Sequence, residues 1–167
     1  MDDRTPPLFT GDEREILCSW LDWHRETLAV KCAGLTEAQL KERAVPPSAM
    51  SLLGLVRHLA HVERAWFRRV LDDEDVPLLH GKEQRPDADF EDADDASVEE
   101  TFATWRAEVE LAREVSAGLP LDAVAKRQRD GNDVSHRRIL VHLIQEYARH
   151  NGHADLLRER IDGMTGE

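Results

Sequence analysis

The chain has 167 residues, 41% of them hydrophobic, which suits one domain with a packed core and argues against global disorder. Thirty-four acidic residues against 22 basic ones leave a formal charge of −12. That balance argues against a nucleic-acid groove and against binding to anionic membrane surfaces, and it favours solubility.

The first ten residues, Met1 to Thr10, contain Asp2 and Asp3 and no apolar run, so no signal peptide is expected there. The first predicted helix runs from about Asp12 to Lys31, with Ile16, Trp20, Trp23, Leu28 and Val30 at mostly helical spacing and Gly34 as a stop signal. It holds Cys18 and borders Cys32; about 21 Å apart along one axis, the two cannot pair, and buried reduced thiols of a cytoplasmic protein are expected. Thr36 to Gln39 has capping-box spacing and predicts a short turn of helix. The longest uncharged run, Ala44 to Val56, is broken by Pro46 and Pro47 and cannot span a membrane.

The second long helix is predicted from Ser51 to about Leu71, with Leu52, Leu55, Leu59, Val62 and Trp66 on one stripe. A connection follows from Asp72 to Ala96; from Asp87 to Glu100 there are eight acids and no basic residue, which predicts a solvated, mobile crossover. The oxygen alternation and central glycine of a calcium loop are missing there. The third helix is predicted from Ser97, with Glu100 completing a capping box, to near Ala117, its apolar face marked by Phe102, Trp105, Val109, Ala112 and Val115. The fourth runs from about Ser135 to Ile161 after the turn Asp130-Gly131-Asn132-Asp133. Four amphipathic helices with one long crossover predict an all-α four-helix bundle, with its core over about residues 10–163 and the acidic crossover over about 72–96.

Two of these helices share out a set of histidines: His58 and His61 on the second, His150 and His153 on the fourth, the latter pair preceded by Glu146. A helical wheel puts His58 roughly 80° from the centre of its stripe and His61 roughly 140° away, facing mostly outward. On the fourth helix His150 lies about 45° from the centre of a stripe formed by Leu140, Leu143, Ile144, Tyr147, Ala154, Leu157 and Ile161, with Glu146 and His153 at its edge, roughly 85–105° away. His142 falls off that face. Glu146 and His150 are one turn apart and neighbours. A buried carboxylate beside an imidazole needs a partner. A divalent ion held by His58, Glu146 and His150 supplies one; a salt bridge of Glu146 to Arg57, Arg149 or a protonated histidine is the alternative.

The runs P-S-A-M-S-L-L-G-L-V-R-H-L-A-H-V-E-R-A-W-F, T-F-A-T-W-R-A-E-V and V-S-H-R-R-I-L-V-H-L-I-Q-E-Y-A-R-H-N-G-H-A-D-L-L-R-E-R-I-D-G resemble the DinB-like family over about residues 10–163. The closest likeness is to an actinobacterial branch related to the mycothiol-dependent maleylpyruvate isomerases. The resemblance implies a four-helix bundle with a divalent metal held by His58 and by the Glu146-x-x-x-His150 pair; two imidazoles and a carboxylate suit zinc, nickel or iron, zinc or nickel above all. Many relatives carry His-x-x-x-His instead, whereas position 154 here is Ala154, so His153 is the rival for the third ligand and a candidate catalytic base. It also implies a thiol cofactor such as mycothiol or bacillithiol and a small-molecule substrate, used in transfer or isomerisation, with His153, His61 and Tyr147 as polar neighbours. A non-catalytic metal-binding stress or partner-binding bundle and a metal hydrolase are the alternatives. Trp20, Trp23, Trp66 and Trp105 exceed what one small core requires, and a homodimer is expected on that ground.

Overall fold

The computed structural model describes residues 4–81 and 85–166. Helix α1 (Glu13–Cys32) starts at a full capping box, in which Asp12 accepts from the Glu15 amide and the Glu15 carboxylate accepts from the Asp12 amide, each at 2.9 Å. The short α2 (Glu37–Lys41) is capped the same way by Thr36 and Gln39. Ser51 opens α3 (Leu52–Glu63) by accepting from the Gly54 amide at 3.1 Å. The helix does not end at Glu63 but widens into a π-helical segment, Arg64–Leu71. After a single 3₁₀ turn at Leu79–Gly81 and the short α4 (Ala88–Glu91), Ser97 caps α5 (Val98–Ser116) and Ser135 caps α6 (His136–Asp162). Gly163, at φ 82°, closes α6 in the left-handed conformation that a residue with a Cβ resists.

The expected helix boundaries therefore stand to within a residue or two, and the chain is helical with no strand among the described residues. α1 lies along α6, α3 packs on α5 and α6, and the π segment continues along α5. Leu52, Leu55, Leu59, Leu140, Leu143 and Tyr147 are almost fully buried between them. No helix among the described residues is long and apolar enough to cross a membrane.

A chain of polar groups runs through this core. Arg25 of α1 donates through Nε and Nη2 to the two carboxylate oxygens of Glu63 on α3, both at 2.8 Å. Tyr147 of α6 donates its hydroxyl to Glu63 Oε1 at 2.8 Å and accepts from Trp105 Nε1 of α5 at 2.8 Å. One residue from each long helix is thus tied to a single buried carboxylate. Burial opposes the Arg25 charge, but Glu63 outweighs it and raises the guanidinium pKa further.

Two sequence expectations are corrected here. Val30 and Trp20 are each 42% exposed, so the part of α1 that carries them faces outward and not into the core. All four tryptophans have partners within the chain: Trp105 in the core, Trp23 under the Arg4 guanidinium at 4.0 Å, Trp66 against His142 at 4.4 Å and Trp20 against His24 at 5.9 Å. The acidic crossover is not a free solvated strand: Ala88, Asp89 and Ala93 are buried against α3. The two cysteines are free, Cys32 buried and Cys18 half-buried; burial pushes the Cys32 thiol up to about 12.

Candidate metal centre

α6 carries Glu146 and His150 on one turn, and α3 faces them with His58. Glu146 Oε2 lies 3.5 Å from His58 Nε2 and 3.6 Å from His150 Nε2. The His58 and His150 rings are 4.5 Å apart, and the three residues each offer a ligand atom within 4.8 Å of the others. Two features set the state of this cluster. His58 donates from Nδ1 to the carboxylate of Asp89 at 2.8 Å, which turns Nε2 toward Glu146. The hydrogen bonds of His150 and then His58 hold the Glu146 carboxyl well below the usual carboxylate range against the opposing effect of burial.

The donor set fits a divalent transition metal. The spacings of 3.5 and 3.6 Å are long for charge-assisted hydrogen bonds, which run to about 2.7–2.9 Å. They are close to the edge of a ligand tetrahedron, since bonds of about 2.1 Å separate neighbouring donors by roughly 3.4 Å. Two imidazoles and one carboxylate suit borderline ions such as zinc and nickel.

The remaining sequence candidates are distributed around this centre. His153 Nδ1 lies 3.3 Å from His150 Nδ1, on the far side of that ring from Glu146, and His153 is outside the convergent group. His61 was expected to face outward; its Nδ1 instead accompanies the Leu79 carbonyl at 3.2 Å, because the crossover folds back over α3. His142, expected off the face, has Nε2 3.7 Å from Glu146 Oε1. The wheel places residues relative to one stripe, whereas the π segment and the crossover cover a second side of the helix. Tyr147 is no polar neighbour of the centre: its hydroxyl belongs to Glu63 and Trp105. The alternative pairing of Glu146 with arginine is not what the structure has. Arg57 donates to the carbonyls of Asp89 and Ala88, at 2.8 and 3.3 Å, and Arg149 is exposed.

Sequence reasoning missed Asp89 altogether. It is one acid among eight, and composition makes them equivalent. The available signal was its neighbour Phe90, the only Phe, Tyr or Trp between Asp72 and Ala96, whose ring stacks on His58 at 5.3 Å. Beside the centre opens a cleft of about 500 Å³ lined by His58, His61, Trp66, Arg129, His142 and Glu146, with the Arg129 guanidinium 5.4 Å from the Trp66 ring.

No curated protein and no solved structure gives a significant match to this sequence. A family model described as mycothiol-S-transferase matches residues 16–163, which includes all of the helices that build the centre. The chain belongs to this mycothiol-S-transferase family, a DinB-like family related to mycothiol enzymes.

Proposed function

We propose that the protein is a divalent-metal-dependent transferase that joins a low-molecular-weight thiol of the mycothiol type to small electrophiles. The observation that carries this reading is the convergence of His58, Glu146 and His150 at the spacing of metal ligands, in a chain of this family. Zinc or nickel is the ion the donor set favours. A divalent ion bound there supplies Lewis acidity, which lowers the pKa of a thiol presented to it so that the thiolate is the attacking form.

The chain's own residues do the rest. Three ligands leave coordination positions open, and the adjoining cleft gives substrate access to them. Trp66 and Arg129 form one wall, against which the electrophile rests. In transfer, the sulfur–carbon bond forms as the leaving group departs with its electron pair. The thiol proton leaves through the cleft, where His61 and His142 are the lining imidazoles that do not belong to the ligand set. His153 steadies His150 through the Nδ1 pair rather than acting as a ligand or base.

Metal analysis of the purified protein and of His58→Ala and His150→Ala tests the first half. The wild type should hold one ion per chain, and each variant should lose it. Undiminished metal in both variants would refute the ligand assignment. Assays of mycothiol and bacillithiol against a panel of electrophiles test the second half. Turnover that needs both thiol and metal supports a transferase; hydrolysis without thiol supports a hydrolase; neither leaves a metal-binding bundle without these activities.

A further inference from the structure

We propose that Asp89, delivered by the crossover, is a positioning residue for His58, so that metal retention depends on the crossover being docked on α3. This rests on the metal-site reading above.

Four observations carry it. The Asp89 side chain is fully buried, and its Oδ2 accepts from His58 Nδ1 at 2.8 Å. Burying a carboxylate is costly, and an imidazole N–H held this close offsets that cost only while the ring keeps the Nδ1–H tautomer. Phe90, the next residue, stacks on the His58 ring with 24° between the planes, which fixes the ring's tilt as Asp89 fixes its rotation. The crossover backbone is in turn held down by Arg57, which donates to the Asp89 and Ala88 carbonyls. Its approach is so close that a Cβ on Gly54 of α3 would sit 3.0 Å from Phe90 Cδ1 and 3.4 Å from Phe90 Cα.

The consequence follows from the tautomer. With Nδ1–H committed to Asp89, Nε2 is the nitrogen that faces Glu146 and is presented to an ion. Without that acceptor, His58 is free to carry its proton on Nε2, where it would donate to Glu146 and occupy the ligand position. Carboxylates that accept from the far nitrogen of a ligating histidine are worth roughly 10- to 100-fold in metal affinity.

The test measures zinc affinity by competition with a chromogenic chelator, and the His58 tautomer in metal-free protein by long-range ¹H–¹⁵N NMR. Asp89→Ala should bind zinc roughly 10- to 100-fold more weakly and move His58 out of the Nδ1–H form. Asp89→Asn, whose side-chain carbonyl still accepts, should recover part of both. Gly54→Ala, which alters neither the Asp89 nor the His58 side chain, should weaken zinc in the same direction by lifting Phe90. Wild-type zinc affinity and an unchanged tautomer in Asp89→Ala overturn the proposal while leaving the metal site standing. A wild type that takes up no zinc sinks the metal reading itself. Should Asp89→Ala fail to fold, wild-type affinity in both Asp89→Asn and Gly54→Ala overturns it instead.

Discussion

Tyr147 stands next to Glu146 in sequence and does a different job. Its hydroxyl accepts from Trp105 and donates to Glu63, so it completes the buried chain that begins at Arg25. Tyr147→Phe leaves the Trp105 N–H without its acceptor and Glu63 with one donor fewer. An unsatisfied buried polar group costs about 1–3 kcal/mol, and the urea midpoint should fall accordingly while bound metal stays unchanged. Lost metal with undiminished stability would instead put Tyr147 in the site. At this scale the sequence distinguishes residues by phase alone. Phase is enough to bring His58, Glu146 and His150 together, because all three lie on or beside the stripe that the helices must bury. It is not enough for Tyr147, which lies on the buried stripe but whose hydroxyl partner, Glu63, belongs to another helix. Nor is it enough for Asp89, whose burial depends on what α3 offers it and not on anything periodic in its own segment.

The helices start where side-chain caps allow, and those caps are local, so Ser51, Ser97 and Ser135 are legible before any packing is known. Ser135 accepts from the Arg138 amide at 3.2 Å at the head of the longest helix, far along the axis from His150. Ser135→Ala should cost about 0.5–2 kcal/mol, read as a lower thermal midpoint, with zinc affinity unaltered. A change in zinc affinity would mean that fraying at this end reaches the centre. The π segment is the element a 3.6-residue period cannot foresee. Its wider turn, closed by the Asp72 amide on the Phe67 carbonyl at 3.1 Å, changes the phase of everything after Glu63. Trp66 thereby meets the ring of His142 and forms a wall of the cleft. Arg64 and Arg68 from the same segment both donate to the buried Glu108 of α5, at 2.6 and 2.9 Å from their closest nitrogens, which anchors the widened turn to the bundle. The acidic crossover is the opposite case: its composition reads as solvated chain, and only the complementary surface of α3 singles out one acid for burial.

For the molecule as a whole, acidification pulls in two directions. The formal charge of −12 means that protonation relieves self-repulsion and on its own favours the folded state. A buried imidazole far from the centre opposes it. His136 is fully buried where α6 begins beside the end of α5; its Nδ1–H donates to the Pro120 carbonyl at 3.3 Å, so Nε2 accepts from the Ser116 hydroxyl at 2.6 Å. A second proton on Nε2 would break that bond, and burial holds the His136 pKa below its ordinary value, as it does for His24. A histidine depressed on folding binds its proton more readily in the unfolded chain. Its contribution is therefore complete above the unfolded value, near 6.5, and is lost as the pH falls below it. Metal-free protein removes the competition between protons and the ion, and the His136 variant isolates this residue's share. The wild-type urea midpoint should be lower at about pH 5.5 than at about pH 7.5, and His136→Gln should be less stable at the higher pH with a shallower decline. His136 is expected to win because its second proton must enter a closed core, whereas the surface repulsion is spread over exposed, salt-screened charges. A midpoint that holds or rises on acidification would show that relief of the net charge is the larger effect.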